Sequence, residues 1–516
     1  MFHAELITNF AALLERHARE RGAKDAYRDN SRAVTYADLH RRTANLAGHI
    51  AALGLEPGDH AAVYLPNSVD WIEATIATVR AGGVAVPVSA EATASEVHYR
   101  LTHAGCRVVF TNAALAPVLA DLASELPDLR AVVIVDADAE SVLHVHQHAL
   151  DVLADRAPTV PARDPEDIDG PAFLVYTSGT TGKPKGVQLS CRGMLWVTAA
   201  CWAPVLGLNE HDVVLSPLPL YHSYALNMSV ISILATGATI HLMEKYSTTE
   251  ALRLLETGEF TVMPAVPTIF HYLMEAALAK GSTALNGLRA CVSAGAIMPA
   301  TLNVAFERAF GVPLLDGYGI TETSTMVTMN PQGARVMGSC GLPLPGLALR
   351  IVDPTSLADC APGQEGELIV RGPNVMLGYL NNPEETARAV RGGWYHTGDL
   401  ARADANGFIT ITGRIKELII RGGQNIAPAE IEEVVLGLES VADCAVAALP
   451  DSQLGEVPGL FVVPRGADFD AAEVLAHCRK HLSSYKVPAA VHVIAEIPRT
   501  GSGKVIRFKL KDMVAG

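Results

Sequence analysis

A chain of 516 residues is longer than one hydrophobic core usually organises, so two or more domains are expected. Its 55 acidic and 40 basic side chains leave a net charge of −15, which excludes a broad basic face for nucleic acid and requires any anionic ligand to be held by local groups. Eight cysteines with no C-x-x-C pair read as reduced thiols of a cytoplasmic protein, not as a disulfide or zinc framework.

The first residues, Met1-Phe-His-Ala-Glu-Leu6, carry no basic segment leading into an apolar stretch. Even the apolar region from Ala225 to Met243 is broken by Asn227, Ser229, Ser232 and His241, so a soluble protein without an integral membrane segment is expected. From Asn9 to about residue 310, strand-like runs alternate with amphipathic helical patterns. Ala61–Tyr64 is followed by a helical Trp71–Arg80, Val84–Val88 by a helical Ala94–Ala104, and then comes Val108–Phe110. Such alternation predicts α/β layers around parallel sheets. Short strands bounded by glycine and proline, Leu349–Val352, Gly366–Val370 and Phe408–Thr412, predict a β-rich, barrel-like section. The last hundred or so residues, with helices at Ala429–Leu436 and Asp470–Leu482 and strands at Cys444–Leu449 and Leu460–Val463, predict a small α+β domain. The boundary is placed at Gly413-Arg-Ile-Lys416, giving domains 1–413 and 414–516.

Tyr176-Thr-Ser-Gly-Thr-Thr-Gly-Lys-Pro-Lys-Gly186 follows the apolar run Phe173–Tyr176 and crowds hydroxyls, glycines and two lysines into one loop. Glycines let backbone N–H groups approach an anion, hydroxyls add donors and lysines add compact charge, so the loop reads as a clamp for the phosphates of a nucleoside triphosphate. It is not a Walker A loop, because Lys183 is followed by Pro184 where that motif has serine or threonine.

Four further segments are improbable as scaffold alone. Asp316-Gly-Tyr-Gly-Ile-Thr-Glu322 follows the apolar Val312–Leu315, at a strand end where α/β sheets place ligands. It offers an aromatic face, glycines, a hydroxyl and a carboxylate suited to Mg²⁺. Trp394-Tyr-His-Thr-Gly-Asp-Leu400 sets a carboxylate after a glycine, able to accept from a ribose diol. Gly413-Arg-Ile-Lys416 leads into a Gly422-Gly-Gln-Asn425 loop, and Pro498-Arg-Thr-Gly-Ser-Gly-Lys504 carries a lysine near the C-terminus. The alternating His144, His146 and His148 lack a fourth ligand and read as loop histidines.

These five segments, in this order, resemble the adenylate-forming superfamily of acyl-CoA synthetases, aryl-CoA ligases, nonribosomal adenylation domains and beetle luciferases, over essentially the whole chain. The resemblance implies a large N-terminal domain of two stacked α/β subdomains plus a distorted barrel, and a small mobile α+β C-terminal domain. It implies ATP, Mg²⁺ and coenzyme A as cofactors, with an acyl-adenylate formed first and its acyl group then passed to a thiol. By the same match Lys504, His222, Thr321 and Glu322 are catalytic, and Thr180 and Glu322 hold the metal. Thr177, Ser178, Gly179, Thr180, Thr181, Gly182 and Lys185 take the phosphates. Tyr318 stacks on the adenine, Gly295, Asp316 and Gly317 belong to the same cofactor-binding set, and Asp399 and Arg414 hold the ribose. Lys416 is the hinge, while Gly422, Gly423 and Asn425 shape the thiol's path after the small domain turns.

Pro217-Leu-Pro-Leu-Tyr-His-Ser-Tyr-Ala-Leu226 resembles the superfamily's segment bordering the acyl site. Tyr224, Met228, Met263, Ala294, Ile297 and Gly319 are the expected pocket residues, a set with no cation for a second carboxylate and no aspartate for an ammonium. An apolar monocarboxylic acid is expected, a fatty acid first and an aryl or cinnamate-like acid second. A separate acyl-carrier protein is the alternative acceptor, a non-catalytic nucleotide-binding regulator the reading from another class, and the state monomer or homodimer.

Overall fold

The apolar runs of the N-terminal half form strands that are covered on both faces, which is why they show no period-2 alternation. The computed structural model describes residues 2–135, 146–177, 184–282, 285–422, 424–466, 469–500 and 503–514, with the side chain of His146 left out. Among these, one sheet of eight strands runs Gly378–Tyr379, Lys185–Ser190, Pro171–Thr177, Val84–Val88, His60–Tyr64, Cys106–Asn112, Ala131–Val135 and His146–Ala149. The six from Pro171–Thr177 onward are parallel, and the first two are antiparallel additions.

A second sheet of nine strands has Val262–Ala265, Ala290–Ser293 and Leu314–Tyr318 side by side and parallel. Their carboxyl ends therefore open on one edge, and they deliver Val266, Gly295 and Tyr318 to it. One large apolar core joins residues of both sheets, from Phe10 and Trp71 to Met194 and Leu315.

Local signals fix many element ends. The helix Ala94–Ala104 begins with a capping box between Thr93 and Glu96 and ends at Gly105 with φ 62°. The strand before Tyr318 is longer than the sequence implied: it does not stop at Leu315 but carries Asp316, Gly317 and Tyr318 within the ladder. His148 lies in the strand His146–Ala149, not in a loop, because that segment pairs in parallel with Ala131–Val135. His144 lies outside the described residues.

The barrel-like section is a five-stranded antiparallel sheet, in which Trp394–Ala403 pairs with Gly366–Arg371 and Ile409–Arg414. The last sheet, built on Val441–Asp451 and Gly455–Pro464, has its own apolar core around Ile431, Val446, Leu460 and Val474. A large α/β domain and a small C-terminal one result. Across the cleft between them the Arg465 guanidinium pairs with Glu275, and Gly503 lies against Val266, where an added Cβ would sit 3.2 Å from Cγ2. Among the described residues no helix is long and apolar enough to cross a membrane.

Candidate active site

A cleft of about 840 Å³ opens at the carboxyl edge of the nine-stranded sheet. Gly295, Ile297, Asp316, Tyr318, Gly319, Asp399, Arg414 and Lys504 all line it, so residues from the nine-stranded sheet, the five-stranded sheet and the C-terminal loop converge there.

Lys504 is presented by a tight turn. The amides of Thr500 and Gly503 donate to the carbonyls of Lys504 and Thr500, both at 2.8 Å, and Gly503 has φ 83°, a conformation that favours glycine. Arg499 anchors the turn by donating to both oxygens of Asp443, each at 2.9 Å. Burial and the neighbouring Arg414 guanidinium lower the Lys504 pKa, while Asp399, Glu322 and Glu417 pull it back up.

Asp399 and Arg414 are cross-strand partners, and Arg414 Nε forms an ion pair with Asp399 Oδ1 at 2.7 Å. Tyr318 donates its hydroxyl to Asp399 Oδ2 at 2.5 Å, tying the aromatic face to the carboxylate. The turn bearing Asp399 is held from behind. Glu367 accepts from the amide of Gly398 at 3.1 Å and pairs with His396 Nδ1 at 2.9 Å, both carboxylate and imidazole being buried.

Ser293 and Asp316 are register neighbours on adjacent parallel strands, and Ser293 Oγ and Asp316 Oδ1 are buried without a partner. Desolvation holds the Asp316 carboxyl well above the usual carboxylate range.

His222 caps the short helix Ser223–Ala225, its Nδ1 accepting from the amide of Tyr224 at 3.3 Å. Burial, and then the charge of Lys504, push its pKa down to about 3, so the ring is neutral and Nε2 carries its proton. His222, Tyr224, Val266 and Gly295 surround an inner void of only about 10 Å³. Tyr224 donates to the carbonyl of Val292 at 3.1 Å and stacks on Trp202, with ring centroids 6.2 Å apart. Met228, Met263 and Ala294 are buried in apolar clusters and line neither space.

Thr321 Oγ1 lies 3.0 Å from Ser223 Oγ, and Glu322 Oε1 accepts from the Tyr379 hydroxyl at 3.0 Å. Thr177 and Lys185 are the described ends of the phosphate loop; Ser178, Gly179, Thr180, Thr181, Gly182 and Lys183 lie outside the described residues, as does Gly423. The Lys185 ammonium pairs with Glu385 and stands 5.1 Å from the centroid of the Tyr379 ring. Lys416 sits in the 3-10 turn Ile415–Glu417 next to Arg414, whereas Gly422 and Asn425 belong to the hairpin Ile419–Arg421 and Gln424–Ile426 and do not line the cleft.

Sequence reasoning passed over Tyr379, Glu385, Glu367 and Ser223. His396 and Ser223 lie inside segments already singled out, but nothing in those segments shows which strand or turn they buttress. Gly319 is limited by its surroundings as well as by the pocket: an added Cβ would sit 1.2 Å from the carbonyl oxygen of Thr325. Gly319→Ala is expected to force that backbone apart at a cost of about 1–3 kcal/mol, lowering both the melting temperature and acid-dependent pyrophosphate release. Parental values for both would mean the turn yields freely.

Comparison with known proteins agrees with this geometry. The AMP-binding enzyme family matches residues 14–380, and the AMP-binding enzyme C-terminal domain matches residues 430–504. The chain is 35% identical, over 97% of its length and 98% of the relative's, to 3-[(3aS,4S,7aS)-7a-methyl-1,5-dioxo-octahydro-1H-inden-4-yl]propanoyl:CoA ligase of Mycobacterium tuberculosis. It is 34% identical to feruloyl-CoA synthase of an Amycolatopsis species, over 96% of this chain and 97% of that one. The crystal structure of the anthranilate CoA ligase AuaEII in complex with anthranoyl-AMP superposes with a TM-score of 0.90 at 25% identity, covering 98% of this chain and 97% of that one. With its cleft, its two domains and these matches, the chain belongs to the AMP-binding, adenylate-forming enzymes and is an acid–thiol ligase of their acyl-CoA synthetase class.

Proposed function

We propose that this ligase activates an apolar monocarboxylic acid with ATP, in the cleft where Lys504, Tyr318, Asp399 and Arg414 converge beside the inner void bordered by His222, and passes the acyl group to coenzyme A. That convergence is the observation that carries the reading. Tyr318 and the Gly295–Ile297 loop face the adenine, Asp316 and Ser293 receive its polar edge, and Asp399 with Arg414 takes the ribose diol.

Attack of a carboxylate oxygen on the α-phosphorus brings two anions together, with the α-phosphorus gaining the acyl oxygen and losing pyrophosphate. Lys504 lies between them and cancels their repulsion, which is largest in a cleft partly shielded from water. Neutral His222 offers its Nε2 proton to the acid's carboxylate and borders the acyl group without adding a second charge. Thr321, held by Ser223, directs its hydroxyl at the α-phosphate.

Glu322 supplies the hard oxygen donor that Mg²⁺ takes, so this carboxylate fits a metal arriving with the phosphates, and Thr180 is the second proposed ligand. When bound, that ion neutralises the departing pyrophosphate. For thioester formation, residues 414–516 turn about Lys416, withdrawing Lys504 and bringing the hairpin with Gly422 and Asn425 to the cleft. The protein works in a reducing, cytoplasmic setting, a reading supported by its eight free cysteines.

The inner void beside His222 holds no more than a water, so the acid enters by displacing apolar side chains. A flexible fatty chain does this most easily and is the first choice. An aryl or cinnamate-like acid is the second, favoured by the Tyr224 ring, which lines the void and is backed by Trp202.

Pyrophosphate release across fatty, aryl, dicarboxylic and amino acids, each with and without coenzyme A, tests the reading. Release is expected with fatty or aryl acids, and acyl-CoA only when coenzyme A is added. Release confined to dicarboxylic or amino acids would overturn the substrate class, and release with none would overturn the catalytic assignment.

A further inference from the structure

The segment Asn374–Thr386 binds three parts of the site to one another. Its first residue, Asn374, is fully buried and donates to the carbonyls of Thr323 at 3.0 Å and Met326 at 2.8 Å. The Met376 amide donates to the carbonyl of Glu322 itself at 2.8 Å. Gly378–Tyr379 then pairs antiparallel with the strand that leaves the phosphate loop, Tyr379 opposite Val187, and the Leu380 amide donates to Gly186 at 2.8 Å. Finally, Glu385 on the helix Pro383–Ala389 holds the ammonium of Lys185, and Arg388 holds the same carboxylate from its other side at 2.9 Å.

Tyr379 stands at the crossing of these contacts. It is 8% exposed, its ring lies beneath the Lys185 ammonium, and its hydroxyl donates to Glu322 Oε1. The amide of Tyr379 is fixed in turn by the Thr386 hydroxyl at 2.9 Å. Lys185 therefore has its charge matched by Glu385 and its position set over an aromatic face, the arrangement of a residue that locks a ring in place. A carboxylate tethered through one oxygen by a rigid phenol keeps its orientation while its remaining lone pairs stay available.

We infer that Tyr379, locked by Lys185 and Glu385, is a positioning residue that presents the Glu322 carboxylate to the metal arriving with ATP. The inference rests on the reading of Glu322 as the metal carboxylate. It gives Lys185 a task other than direct phosphate contact and couples the stem of the phosphate loop to the metal side of the site.

The test is ATP binding without any acid, measured calorimetrically in the full chain while Mg²⁺ is titrated, so that no turnover enters the result. Tyr379→Phe, which keeps the ring, is expected to raise the Mg²⁺ concentration for half-maximal ATP binding by roughly tenfold, the loss of one hydrogen bond to a charged group. ATP binding in the presence of a chelator should stay at the parental value. In steady state kcat should fall with little change in KM for the acid.

Glu322→Gln should shift the same Mg²⁺ titration, and adding Tyr379→Phe to it should bring no further shift. If Glu322→Gln shifts the titration and Tyr379→Phe only lowers the melting temperature, Tyr379 is structural and the inference fails while the reading of Glu322 stands. If Tyr379→Phe shifts the titration equally with and without Glu322, it acts elsewhere and the inference again fails. If Glu322→Gln leaves the titration unmoved, the metal assignment itself falls.

Discussion

Replacement of Lys504 by alanine is expected to lower acid-dependent pyrophosphate release by at least about 10²–10³-fold, the range seen when a preorganised charge stabiliser is removed from an active site. The size follows from where the lysine stands. It projects from a turn pinned by Arg499, Asp443 and Gly503 into a cleft where its pKa is already lowered by burial and by Arg414, so no mobile surface cation takes its place. ATP binding should change little, because Tyr318, Asp399 and Arg414 remain. Reaction of a preformed acyl-adenylate with coenzyme A should also survive, since the proposed turn of the small domain withdraws Lys504 for that step. A variant that adenylates at the parental rate would remove Lys504 from the mechanism, and one that loses both half-reactions equally would show the substitution to be structural.

Replacement of Asp399 by alanine should have the next largest effect, on ATP affinity and on stability together. The carboxylate is 2% exposed and is the common partner of the Tyr318 hydroxyl and the Arg414 guanidinium. Its loss removes the proposed acceptor for the ribose diol and frees the Tyr318 and Arg414 side chains that it holds. With hydrogen bonds to charged groups worth about 1.5–3 kcal/mol each, ATP should bind roughly 10²-fold more weakly. Stability should fall by about 1–3 kcal/mol, mostly from the enclosed Tyr318 hydroxyl left without its acceptor. Arg414 contributes less to that loss, because its side chain is 41% exposed and water can replace its partner. Asp399→Asn should recover part of the affinity, since an amide oxygen still accepts. Calorimetric ATP binding and thermal melts measure both effects; an affinity within twofold of the parent would show that the ribose is held by other groups.

Much of the fold is written locally. Thr93, Glu96 and Gly105 mark both ends of one helix, and Val84–Val88 reads as a doubly covered strand from its apolar run alone. Two helices and two strands of the C-terminal domain also appear in the sequence order of their patterns, within five residues of their observed ends, whereas the short strands Ile419–Arg421, Gln424–Ile426 and Ala490–Val493 and the helix Arg507–Asp512 do not. These features depend on neighbours a few positions away. The limit shows at Asp316-Gly-Tyr318: glycine beside a charged residue reads as a turn, yet pairing with Thr328–Met329 draws the segment into the ladder.

The site divides along the same line. The chemistry of Asp316–Glu322, Asp399, Arg414 and Lys504 follows from residue type and motif order. The links among them do not. Tyr379 meets Glu322 across 57 residues and Lys185 meets Glu385 across 200, and in sequence both partners look like ordinary parts of a turn and a helix start. Ser293 and Asp316 become unpaired neighbours only through the register of two parallel strands.

By itself, then, the amino-acid sequence determined the domain order, the alternation that makes parallel sheets, and the set of groups proposed to hold ATP and to cancel the charge of two meeting anions. The tertiary structure alone decided that His222 is neutral, that the void beside it is nearly filled, and that Glu322 is oriented by a phenol from a distant strand. Charge state, cavity volume and side-chain orientation are properties of what surrounds a group in space, and strands far apart in the chain supply those surroundings only once they have paired.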